Sequence, residues 1–76
     1  MPYIHIQVTR EGVTAAQKAA LIQGATNLVV HTLGKDPEAT FVVIEEVDTD
    51  NWGVAGESVT ALRQRTRQAA AGGQHG

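Results

Sequence analysis

Residues 40–47 read TFVVIEEV, a β-branched and aromatic run that is almost continuously apolar up to Glu45. Such a run suits a strand covered on both faces, as in a parallel arrangement, rather than one with a solvated side. Upstream, Tyr3 to Val8 alternates: Ile4, Ile6 and Val8 fall on one face, Tyr3, His5 and Gln7 on the other. That period of two predicts a strand with one strongly apolar side. Between the two strands, Thr14 followed by Gln17 has the form of a capping box and opens a helix at Ala15. Ala16, Ala20, Leu21, Ala25, Leu28, Val29, Thr32 and Leu33 recur at helical spacing, Gly34 suits the position after the last turn, and Pro37 prevents continuation. Strand, helix and strand make one βαβ unit, for which a right-handed crossover is expected. The fold class is therefore α+β.

Further along, Asn51-Trp52-Gly53-Val54-Ala55-Gly56 reads as a turn or short hairpin, and Ala61 to Ala71 as a helical tail. Gly72 to Gly76 is expected to be disordered. One domain over 1–65 with a flexible tail over 66–76 is the organisation this implies.

A chain of 76 residues buries only about 60% of its unfolded surface. Stability at that size needs staples, a metal or partner subunits. The absence of cysteine excludes disulfides and thiolate zinc sites. His5, His31 and His75 are scattered without ligand spacing, so no metal is expected. With 42% hydrophobic residues, self-association is the remaining route. A lone βαβ unit has two open sheet edges and a bare sheet face, which leads to the same expectation. The net charge of −2 argues against a general nucleic-acid binder. Charge is nonetheless uneven, with Glu45, Glu46, Asp48 and Asp50 together and Arg63, Arg65 and Arg67 together. No stretch approaches a membrane span of about 20 apolar residues, and no signal peptide opens the chain. A soluble cytoplasmic protein is the default expectation.

Pro2 directly follows Met1 and directly precedes the first strand. If Met1 is removed, the proline nitrogen becomes a free secondary amine, and an α-amino group titrates near pH 8. Burial and a nearby cation both disfavour its charged form, moving it towards the range useful for proton abstraction beside a carbonyl. With Met1 in place the nitrogen is a tertiary amide without basicity. The plain alternative is a strand-start proline with no chemistry.

Pro2 at the start of a strand, a helix opening on Gln17-Lys18, an apolar second strand and the turn Trp52-Gly53-Val54-Ala55-Gly56 together resemble the tautomerase superfamily, in its small 4-oxalocrotonate tautomerase-like branch. The resemblance covers residues 2 to about 65. It implies a β-α-β protomer whose sheet is completed by dimerisation, and a homo-oligomer that is a dimer or a hexamer. It also implies an amino-terminal proline acting as acid or base without metal or organic cofactor, on enol and keto forms of 2-oxo acids.

Carried onto this chain, the resemblance makes Pro2 the general base and places Trp52 where the family has an apolar pocket wall. The family's arginine after a glycine is replaced, since Val13 follows Gly12. Arg10, three residues earlier in a longer loop, is its candidate substitute as the carboxylate anchor. The family's strand arginine aligns with Phe41, which adds an apolar group and removes a second cation. Arg63, Arg65 and Arg67 form a solvated tail or reach a neighbouring subunit's pocket. His5 is a surface or interface residue before it is an acid, and the acidic group from Glu45 to Asp50 reads as a solvated strand end. Two other readings stay open: a hydratase or dehalogenase of the same superfamily, and a non-catalytic oligomeric binding module.

Overall fold

The computed structural model describes residues 1–71, the side chains of 69–71 excepted, so the disorder expected over 72–76 lies outside the described residues. The element order is β1 (Tyr3–Thr9), α1 (Ala15–Leu33), β2 (Phe41–Val47), β3 (Gly53–Val54), β4 (Glu57–Ser58) and α2 (Val59–Ala71), with short 3₁₀ turns at Pro37–Ala39 and Thr49–Asn51. This is the β-α-β protomer with a C-terminal hairpin and helix that the sequence predicts. The chain divides into two compact units, Met1–Glu46 and the part from Val47 onward.

In the first unit β1 and β2 form a two-stranded sheet. The Phe41 N–H donates to the Pro2 carbonyl at 3.0 Å, and Glu45 meets both His5 and Gln7 further along. Residue number thus rises together on both strands, so they run parallel. The connection is α1, whose start is set by a complete capping box: Thr14 accepts from the Gln17 N–H and the Gln17 side chain accepts from the Thr14 N–H. Its end is set by Gly34 at φ 65°, a left-handed conformation that costs an L-residue with a Cβ about 1 kcal/mol or more.

One side of the sheet is half-covered, by Ile4, Ile6 and Val8 on β1 and Val42, Ile44 and Glu46 on β2. The bond from Lys18 to Glu46 places α1 on that side. The helix positions that gain cover are Lys18, Ala25, Thr26, Val29 and Val30. This departs from the apolar stripe expected from spacing alone, because Leu28 and Leu33 are 67% and 59% exposed and Leu21 also faces outward. The helix carries more apolar surface than two strands can cover. The opposite sheet face, with Tyr3, Phe41 and Val43, is also open, so β2 is covered on one side within the protomer rather than on both. Among the described residues, Val59 is the only buried apolar side chain. These exposed apolar residues fit the expectation of self-association drawn from the sequence.

On that open face His5 Nε2 lies 2.8 Å from Glu45 Oε1, and Gln7 Nε2 donates to the same oxygen at 3.0 Å. The Tyr3 and His5 rings sit with centroids 6.3 Å apart. The Gln7 amide foremost, and then His5, hold the Glu45 carboxyl below the usual carboxylate range, against the opposing effect of desolvation.

In the second unit, β3 and β4 pair antiparallel with Gly53 opposite Ser58 and Val54 opposite Glu57. The two turn residues, Ala55 at φ 54° and Gly56 at φ 83°, both take positive φ, as a tight primed hairpin turn requires. The Val59 N–H donates to the Trp52 carbonyl at 2.8 Å, and the Ser58 hydroxyl accepts from the Ala61 N–H at the start of α2. Arg65, on α2, bonds Glu57 at 2.9 Å, so this tail arginine is engaged within its own unit. Among the described residues no helix is long and apolar enough to cross a membrane.

Three outcomes follow for unfolding by urea at fixed protein concentration. Thr14→Ala removes the reciprocal cap and lowers stability by about 1 kcal/mol. Ala55→Gly relieves the left-handed strain and raises stability by roughly 0.5 kcal/mol, despite the freer unfolded chain. Because the folded state holds the Glu45 carboxyl low, its contribution is present above the unfolded carboxylate range and is lost as pH falls through the folded value. Glu45→Gln should therefore show a shallower loss of stability on acidification than the parent chain.

Candidate active site

Pro2 is half-buried at the leading end of β1, one residue behind a fully projecting Met1 that is 83% exposed. Its carbonyl is fixed by the Phe41 N–H, which sets the first residue of β2 directly beside it. Phe41 is 47% exposed and presents its ring on the open side of the sheet. Since Met1 precedes Pro2 in the sequence, the proline nitrogen is an amide until that residue is removed. The structure thus brings Pro2 and Phe41 together at one end of the sheet.

Arg10 stands at the other end. It follows β1, and its guanidinium Nη2 approaches the Glu46 carbonyl at 3.4 Å. A strand rises about 3.3 Å per residue, so Pro2 and Arg10 of one chain are separated by roughly 25 Å. An arginine side chain and a small 2-oxo acid together fall far short of that span. A site using both groups must therefore take them from different copies of the chain. Trp52 belongs to the second unit, half-buried, with its carbonyl held by the Val59 N–H.

The expectation of a merely solvated acidic strand end does not hold for its first two members. Glu45 belongs to the polar cluster with His5 and Gln7. Glu46 accepts from Lys18 Nζ at 2.5 Å, and its side chain is only 20% exposed. The hydrogen bond and charge of Lys18, with a further contribution from Arg10, hold the Glu46 carboxyl below its usual range while desolvation opposes them. Lys18 is placed by the capped first turn of α1, where its N–H also donates to the Thr14 carbonyl at 3.0 Å. The pairing was not legible from spacing, because 28 residues separate the partners. The only hint was Lys18 following the capping glutamine, which places it on the first turn of the helix.

Chemically, the first unit offers two separated elements. A proline held at the start of the sheet by its carbonyl can act as a proton-transferring centre once the amine is free. Lys18 and Arg10 beside the single Glu46 carboxylate leave one net positive charge, which can attract an anionic group.

Comparison with known proteins places the protomer in a family. The tautomerase enzyme family matches residues 2–62. A protein named Probable tautomerase K2, from Dickeya dadantii, is 58% identical over 65 residues, covering 86% of this chain and 97% of its own. The 2-hydroxymuconate tautomerase of Pseudomonas putida is 39% identical over 62 residues, covering 82% of this chain and 97% of its own. Among solved structures, DmpI from Helicobacter pylori superposes with a TM-score of 0.78 at 45% identity, covering 83% of this chain and 97% of that one. With the strand-helix-strand protomer, the leading proline and a match that runs from Pro2 through the hairpin into α2, this chain belongs to the tautomerase family, whose members are isomerases.

Proposed function

We propose that this chain is a cofactor-independent tautomerase that interconverts the enol and keto forms of a 2-oxo acid, working as a cytoplasmic homo-oligomer. The observation that carries the reading is that the family match begins at Pro2 itself and covers the whole β-α-β protomer.

After removal of Met1, the neutral Pro2 amine takes the enol O–H proton. The C=O bond forms as the C=C bond is lost, and the proton is returned to carbon; substrate and product are isomers and nothing else is consumed. The amine suits the task because its ordinary pKa is already close to neutrality, and partial withdrawal from water at the start of β1 lowers it further. Arg10 of a neighbouring copy anchors the substrate carboxylate through a charge-assisted pair and stabilises the enolate charge that develops beside it. Trp52 is assigned as an apolar group that helps exclude water.

The side chains at positions 13 and 41 support a preference for one carboxylate. Val13 and Phe41 stand where the resemblance leads one to expect arginines, so a monocarboxylate or aryl 2-oxo acid fits the available cation and aromatic surface better than a dicarboxylate.

The test is the ketonisation rate of phenylenolpyruvate and of 2-hydroxymuconate, on protein shown by intact mass to lack Met1. The parent chain should turn over the aryl substrate with the higher kcat/KM, and Pro2→Ala should lower kcat by about a hundredfold or more. Turnover of neither compound, or turnover indifferent to Pro2→Ala, would sink the assignment.

A further inference from the structure

Lys18 and Glu46 have no part in the proton transfer, yet they meet where the carboxylate anchor is held. Residue 46 serves two cations with two different groups. Its backbone carbonyl faces the Arg10 guanidinium at 3.4 Å, and its carboxylate takes Lys18 Nζ at 2.5 Å. Both ends of the pair are built into regular structure: Lys18 into the capped start of α1, Glu46 into the last turns of β2 on the helix side. Their side chains are 35% and 20% exposed, so the charges are partly withdrawn from water.

A carboxylate this close to Arg10 poses a problem for the assigned role. Left bare, Glu46 would compete with an incoming substrate carboxylate for the guanidinium and repel it through space. Lys18 cancels that charge at its source. The Glu46 carbonyl can then steady Arg10 as a dipole, while the side chain does not act as a rival anion.

We infer that Lys18 and Glu46 are a positioning pair for Arg10, in which Lys18 neutralises Glu46 so that the anchor recognises a substrate carboxylate. The inference rests on Arg10 being that anchor. It makes the Lys18 charge act on KM more than on kcat, because the carboxylate that Arg10 holds is present in substrate and transition state alike and Lys18 touches no reacting atom. It also makes the Lys18 effect depend on two other residues: it requires Glu46 to be charged and Arg10 to be present.

The experiment is steady-state kinetics on phenylenolpyruvate with Lys18→Met, Lys18→Arg, Glu46→Gln, Arg10→Ala, and the double variants Lys18→Met/Glu46→Gln and Lys18→Met/Arg10→Ala. Circular dichroism and size-exclusion chromatography check each fold and assembly. Lys18→Met should raise KM about three- to tenfold with kcat within about twofold of the parent. The increase should shrink in ~0.5 M salt. Lys18→Arg should keep the parent KM, and adding Glu46→Gln to Lys18→Met should restore it. In the Arg10→Ala background Lys18→Met should have no further effect, whereas a pin that merely holds α1 to β2 would give additive losses. If Lys18→Met does not fold, Glu46→Gln alone still decides: with the anion gone and Lys18 kept, KM should fall about two- to threefold below the parent value, and an unchanged or raised KM overturns the pair.

An unchanged KM in Lys18→Met, or no restoration by Glu46→Gln, also overturns it. Should Arg10→Ala leave KM unchanged while Pro2→Ala abolishes turnover, the anchor assignment fails and the positioning pair with it, but the proline mechanism stands. Loss of the proline mechanism would be seen separately, as parent turnover indifferent to Pro2→Ala.

Discussion

A single helix laid over two strands can cover only one face of the sheet, and most features of this chain trace back to that limit. α1 takes the side bearing Ile4, Ile6, Val42 and Ile44. Tyr3, Phe41 and Val43 remain on the other, and Leu28 and Leu33 on the outside of the helix. No rearrangement within so short a chain relieves this, because removing one of these residues from water exposes another. Burial of apolar area is the main favourable term in folding, and a protomer with almost no enclosed side chains among its described residues has little of it, as the sequence-based expectation of self-association anticipates. The polar cluster of His5, Gln7 and Glu45 on the open face is then a satisfied group within a surface that is otherwise apolar.

Parallel pairing has a second consequence, for chemistry. When two strands run in the same direction, their starts lie together and their ends lie together. Pro2 meets Phe41 at one end of the sheet, and Arg10 meets Glu46 at the other. The group suited to moving a proton and the group suited to holding an anion are thereby placed as far apart as β1 allows. A site that used both groups would take them from two copies of the chain, and a contact that covered the open apolar face could serve it as well. The pair of Lys18 and Glu46 ties the start of α1 to the end of β2, so Arg10 meets a backbone carbonyl held by the elements that define the fold.

Local features were legible from residue types because their causes are local. The capping box of Thr14 and Gln17, the left-handed stop at Gly34 and the alternation of β1 depend on neighbours within one or two turns, and each forms as read. The hairpin at Val54 to Glu57 was visible in its turn residues, although the cost of Ala55 at positive φ was not, since alanine carries no turn signal. The fold class and the importance of Pro2 as a candidate came from order along the chain, which is sequence information.

Whatever depends on distant partners required the tertiary structure. Helical spacing marked Leu21, Leu28 and Leu33 as core, but which side of a broadly apolar helix faces the sheet is decided by packing against Val42, Ile44 and Glu46. The acidic stretch read as solvated, because nothing within a few residues pairs with it. Folding brings Lys18 and Arg10 to Glu46, and His5 and Gln7 to Glu45. The alternation of β1 already sets Pro2 and Arg10 at opposite ends of an extended strand, but that Arg10 meets the Glu46 carbonyl there depends on the pairing of β1 with β2.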